Sequence, residues 1–157
     1  MALNVKNIGS PVNNPENQSS PAIDVDGTLY FGSLGVKDSK DKDKKDDGVH
    51  FCNLYSSTIV PDKGYGKATA LPENINREGY HTANVSITPD GNTMYYTRVV
   101  SDGGHMEESK LYASTKTAGG WSPALEVTGI NGDYIVRHPV EGELYGNKVL
   151  FFAANIP

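Results

Sequence analysis

The alternation of apolar and polar positions is sharpest over residues 85–98. Val85 and Ile87 alternate with Ser86 and Thr88, the period of two that a half-buried strand requires. Pro89-Asp90-Gly91-Asn92 then interrupts the pattern. Proline presets one turn dihedral, aspartate caps its own backbone, and glycine tolerates positive φ. Thr93-Met94-Tyr95-Tyr96-Thr97 resumes with β-branched and aromatic side chains suited to a pleated surface. The stretch predicts a hairpin. Residues 21–33 repeat it, with Ile23 for Ile87, Asp26-Gly27 for Asp90-Gly91, and Leu29-Tyr30-Phe31 for Met94-Tyr95-Tyr96. The later copy carries one extra turn residue, Asn92. A third copy starts at Val136, with Tyr145-Gly146-Asn147-Lys148 in place of the Asp-Gly turn and a second strand over 149–153.

After each of the first two hairpins the same order continues. Third strands are predicted at 49–56 and 109–114, a turn at 59–64, fourth strands at 65–71 and 121–127, then Ile75-Asn76 or Ile130-Asn131. An irregular strand is predicted over 3–13, ending in Val12-Asn13. The asparagines recur at intervals of 63 and 55 residues, and the turn glycines Gly27, Gly91 and Gly146 at 64 and 55. Two independent landmarks sharing nearly the same two periods mark a repeat. A four-stranded antiparallel unit of this length predicts an all-β chain of β-propeller blades. Residues 3–13 would be the outer strand of a preceding blade, 20–76 and 82–131 whole blades, and 136–157 the start of a third. A closed propeller needs four or more blades, so the remainder is expected from further sequence or another chain. The chain stops just after the apolar stretch at 149–153, which reads as a segment of a longer protein. On this reading Asp26, Gly27, Pro89, Asp90 and Gly91 are structural turn residues.

Composition narrows the function. Among 157 residues, 37% are hydrophobic, with 17 Gly and 9 Pro, a balance for strands and turns. No window holds the apolar 3.6 period long enough for an ordinary helix. A net charge of -5 argues against general nucleic-acid binding. The one cysteine, Cys52, allows no intramolecular disulfide and no Cys-rich zinc site; beside Phe51 and Leu54 it reads as a small buried hydrophobe. Residues 1–7 lack the pattern of a signal peptide, and no stretch reaches the length of a membrane span. Residues 37–47 hold five Lys and five Asp, a solvated segment. Asp41, Asp43, Asp46 and Asp47 suggest a calcium loop, but the twelfth position from Asp41 is Cys52 rather than glutamate, and the interleaved lysines repel a divalent ion. No metal or cofactor is predicted.

For catalysis, the close carboxylate pairs are Asp24/Asp26, Glu107/Glu108 and Glu141/Glu143. Asp26 and Asp90 recur at one turn position, as structure requires and a single active site does not. The histidines His50, His81, His105 and His138 show no metalloprotease spacing; His81 and His138 each precede a predicted first strand. No nucleophile elbow or phosphate-cradling glycine loop is present. Arg77, Arg98 and Arg137 fall at blade edges, placed to pair across blades or clamp an acidic partner. A glycan-binding face would need exposed aromatics, for which Tyr65, Tyr80, Tyr134 and Trp121 are the candidates, with Trp121 better suited to the core. No catalytic residue is assigned.

Residues 21–31 and 86–96 resemble the Pro-Asp-Gly repeat of TolB-like, WD-repeat-like propellers, in which a Ser-Pro-Asp-Gly turn joins the first two strands of each blade. Pro89-Asp90-Gly91 is close to that pattern; Val25-Asp26-Gly27 lacks the proline and the third copy lacks the aspartate. Gly120-Trp121-Ser122-Pro123 with Ile130-Asn131 is similar to a variety in Bacteroidetes OmpA-family envelope proteins, such as PorE-type components of type IX secretion. The resemblance implies a non-enzymatic protein–protein interaction scaffold, periplasmic and outer-membrane associated, linked to secretion or outer-membrane assembly. Its partners would be other envelope proteins. The helical-repeat and OmpA-like portions of those proteins have no counterpart here, so peptidoglycan binding does not carry over. The alternative is a propeller enzyme or substrate-gating domain acting on glycans or peptides. It would show unpaired carboxylates or histidines converging at one end of a central channel.

Overall fold

A computed structural model of the chain describes residues 3–35, 51–102 and 105–156. The described residues form an all-β structure of antiparallel sheets. No helix among them is long and apolar enough to cross a membrane. The first sheet has the order β1 (Gln18–Ile23), β2 (Leu29–Ser33), β3 (Asn53–Ser57), β6 (Thr69–Ala70), with a small hairpin of β4 (Ile59–Val60) and β5 (Gly64–Tyr65) beside it. The second runs β7 (His81–Ile87), β8 (Thr93–Asp102), β9 (His105–Thr117), and β9 then pairs both β10 (Gly120–Trp121) and β11 (Leu125–Glu126). A third hairpin joins β12 (Val136–Leu144) to β13 (Asn147–Ala154).

The apolar strands explain this packing. Tyr30, Leu54 and Leu71 of the first sheet meet Ile75, Val85, Met94 and Tyr96 in one buried cluster. Leu54, Ile75, Met94 and Leu111 are fully enclosed. Each such side chain contributes about 1.5–3 kcal/mol of transfer free energy. Trp121 closes the cluster from the second sheet, edge-on to Tyr30 at 5.9 Å.

The repeat extends to hydrogen bonds. Asn76 Oδ1 accepts the Leu54 amide at 2.8 Å, while its Nδ2 donates to the carbonyls of Leu54 (2.9 Å) and Leu71 (2.7 Å). Asn131 grips Leu111 in the same way, at 2.8 and 2.9 Å. The Ile-Asn landmarks therefore staple each unit's exit to its own third strand.

The structure corrects several expected strands. The fourth strands are not continuous. Between β10 and β11 stands Pro123, which has no N–H for a ladder. Between β5 and β6 the backbone turns aside, Gly66 N–H donating to Thr58 O and Ala68 N–H to Pro11 O. The expected turn over 59–64 is itself the β4–β5 hairpin, with Asp62 and Gly64 at positive φ. The third strand of the first sheet begins only at Asn53. Residues 3–13 hold no strand. Val12 and Asn13 donate to Gly9 O, the turn that Ile75 and Asn76 make on Pro72 O. Val12 packs with Leu29, Phe31 and Ala68.

Candidate functional site

The first strand of each unit carries a bulge at one place. Pairing register shifts between Ser19 and Ala22, between Ala83 and Ser86, and between Arg137 and Val140. Inside each bulge sits a non-glycine residue at positive φ: Ser20 at 50°, Asn84 at 54° and His138 at 53°. Such backbone costs on the order of 1 kcal/mol per residue, and strain of this kind gathers at functional positions. Pro21 and Pro139 follow two of the three, fitting a position whose N–H the ladder does not use.

The bulged strands bring residues 20–23, 84–87 and 138–140 to the walls of one cleft of about 520 Å³. Its polar groups are hydroxyl, amide and imidazole. The Ser20 hydroxyl donates to Asn84 Oδ1 at 3.4 Å, and Asn84 Nδ2 donates to Thr97 Oγ1 at 2.8 Å. Ser86 Oγ is buried without a hydrogen-bond partner among the described residues. Ile23, Ile87 and Val140 supply apolar surface. A mixed wall of this kind suits shape and polar complementarity.

The repeated aspartates lie in the turns. Asp26 Oδ1 accepts the Thr28 amide at 2.9 Å, and that bond, the leading cause, holds its carboxyl below the ordinary value. Asp90 Oδ1 accepts the Thr88 hydroxyl at 2.6 Å and the Asn92 amide at 3.0 Å; these bonds, the hydroxyl first, lower its pKa to about 2. Gly27 and Gly91 adopt φ of 84° and 71°. Gly91 is also a close approach: a Cβ there would lie 2.6 Å from Asp24 Oδ1 and 2.7 Å from Val25 Cγ2. Exposed Pro89 leads into this turn. Asp24, whose side chain is fully enclosed, is paired at 2.7 Å with Lys116 of the second sheet, which also lies 3.6 Å from Asp26. The pair at 24 and 26 thus meets a lysine across the sheets.

The other candidates are dispersed. Glu141 pairs with Lys148 at 3.4 Å, and with Glu143, Pro89 and Asp90 it lines a second depression of about 390 Å³. Glu108 pairs with Lys110 at 3.0 Å. His81 and His138 lie inside β7 and β12 rather than before them, because these strands extend to pair with the long β8 and with β13. His81 Nδ1 accepts the Cys52 amide at 3.0 Å. Arg98 is not at an edge but buried in β8; it donates to the carbonyls of Ile75 (2.9 Å) and Asn74 (3.0 Å) and stacks over Tyr112 at 4.7 Å. It therefore holds the link between the sheets rather than an acidic partner. Arg77 lies over Tyr80 at 4.7 Å, and Arg137 sits in β12 opposite Ala153. The hydroxyls of Tyr65 and Tyr134 donate to the carbonyls of Gly27 and Ile130, and Trp121 Nε1 donates to Tyr30 at 3.3 Å. Burial pushes the Cys52 thiol up to about 11. Among the described residues no three His, Cys, Asp or Glu side chains are placed to hold a metal ion. The suggested calcium ligands Asp41, Asp43, Asp46 and Asp47, with His50, lie outside the described residues, as do the side chains of His105 and Glu107.

No protein-family model and no curated protein matches the chain. The cleft was not anticipated from the sequence. Its signal is Ser20-Pro21 and His138-Pro139, prolines inside first strands at matching repeat positions.

Proposed function

We propose that the chain is part of a β-propeller serving as a non-enzymatic scaffold for protein–protein contacts at a bacterial cell envelope. The observation that carries this reading is the convergence of three equivalent bulges on one cleft, the arrangement of first strands around a propeller axis. Two successive sheets with the same antiparallel strand order support it as well. The acids that recur with the repeat serve as turn caps, and Asp24 in a cross-sheet ion pair. The cleft then offers neutral donors and acceptors between apolar side chains, chemistry that fits a docking surface better than two-carboxylate hydrolysis. The envelope location rests on the likeness of Pro89-Asp90-Gly91 and of residues 120–123 to TolB-like propellers of envelope proteins.

Two measurements test this reading. Fractionation of cells that naturally carry the protein is expected to recover it with the envelope, and recovery in the cytosol would overturn that location. The purified chain is expected to leave glycan and peptide substrates unchanged. Turnover abolished by His138→Ala or Glu141→Gln would favour an enzyme instead.

A further inference from the structure

The three hairpins can be aligned residue for residue on their bulges. Ala22, Ser86 and Val140 are equivalent, and their ladder partners are Tyr30, Tyr95 and Phe151. It follows that Phe31, Tyr96 and Phe152 are equivalent, as are Gly32, Thr97 and Ala153. Phe31 is 2% exposed and Tyr96 0%, whereas Phe152 is 37% exposed. The difference lies in the neighbour. Strands β2 and β8 are each paired on both sides, while β13 is paired only with β12 among the described residues.

The two third strands that fill this place share a sequence pattern in one register. β3 reads Asn53-Leu54-Tyr55-Ser56-Ser57, and the matching part of β9 reads Lys110-Leu111-Tyr112-Ala113-Ser114. Tyr55 lies opposite Phe31, and Tyr112 opposite Tyr96. Both pairs stack, at 6.0 Å and 23° and at 6.2 Å and 19°. Leu54 lies opposite Gly32 and Leu111 opposite Thr97, and both leucines are fully buried. A small residue on the second strand therefore leaves room for the leucine, and Ala153 preserves that room.

We propose that the free edge of β13 accepts an antiparallel strand of a partner polypeptide with the pattern Leu-Tyr-small-Ser, its tyrosine stacked on Phe152 and its leucine opposite Ala153. The partner supplies the backbone hydrogen bonds of an added strand, and the two side chains set its register. A second copy fits less well. Two β13 strands related by a twofold axis place Ala153 opposite Val149, Phe151 or its own counterpart, never a leucine. The inference rests on the repeat of the sheets and not on ring closure, so it stands or falls apart from the scaffold reading.

The test uses the whole chain and a synthetic peptide, Glu-Ser-Lys-Leu-Tyr-Ala-Ser-Thr, which is the sequence of residues 108–115. Titration is expected to show saturable binding and slowed amide exchange in β13 but not in β7. Replacing the peptide's tyrosine by serine is expected to weaken binding about tenfold, the scale of one lost aromatic contact. Ala153→Leu in the chain is expected to do the same with its circular dichroism unchanged. No binding, or equal binding of a scrambled peptide, overturns the proposal. Protection of β13 that rises with chain concentration without peptide also overturns it, in favour of a second copy.

Discussion

Asp90 is fully exposed to solvent, yet its carboxyl is held down to about 2 by the Thr88 hydroxyl and the Asn92 amide. An unfolded chain leaves an aspartate near 3.8. The group binds its proton more weakly when folded, so the stability it adds is complete above pH 4 and lost as pH falls towards 2. Asp26, lowered by its bond to Thr28, acts in the same direction. Thermal melts are expected to fall more steeply between pH 4 and pH 2 for the native chain than for Asp90→Asn. Asp90→Ala is expected to lower the melting temperature at neutral pH, because the Thr88 hydroxyl and Asn92 amide lose their acceptor. Parallel pH curves for native and variant would remove Asp90 from the support of the turn.

At the scale of the element, the asparagine clamps define where a unit ends. Asn76→Ala removes three hydrogen bonds and strands both backbone groups of the fully buried Leu54. The expected cost is about 3 kcal/mol, within the range for buried polar groups left unpaired. Asn131→Ala removes two bonds and is expected to cost about 2 kcal/mol. Urea denaturation checks both; equal stability of native and Asn76→Ala proteins would refute the clamp.

These clamps were visible in the sequence as a recurring Ile-Asn, though not as a device. The hairpins were legible for a related reason. Alternation such as Val85-Ser86-Ile87-Thr88 and turns such as Asp90-Gly91 are local signals, set by side chains within a few positions. The outer strands were less legible. Whether residues 65–71 pair as one strand depends on Gly66 and Ala68 bonding to Thr58 and Pro11, contacts that no local pattern encodes. The bulges escaped for the same reason. Serine and histidine carry no intrinsic preference for positive φ, and Ser20 and His138 adopt it because the strands around them fix it.

Across the whole molecule, the two sheets are joined by more than apolar packing. Lys116 of the second reaches Asp24 of the first, beside the bond from Trp121 to the Tyr30 hydroxyl. Desolvation, the leading cause, raises the Tyr30 phenol, so it stays a neutral partner for the indole. Lys116→Met leaves an enclosed carboxylate without its cation. The expected loss is about 2 kcal/mol, below that of a fully buried pair because the lysine side chain is 36% exposed. Asp24→Asn in the Lys116→Met background should recover part of it. Strict additivity of the two substitutions in a double-mutant cycle would show that the pair does not couple the sheets.

The matched registers of β3 and β9 also bear on how such a chain can change over generations. Phe31 and Tyr55 are 24 positions apart in sequence, and Tyr96 and Tyr112 are 16 apart, yet each pair meets in the same stack. The aromatic pair and the asparagine clamp set the alignment, so the length of chain between second and third strands is free to vary. Lengthening a closed connection costs only about 0.6 kcal/mol per doubling. That junction is where insertions can accumulate, and where a tag or a foreign epitope can be spliced, without shifting anything downstream.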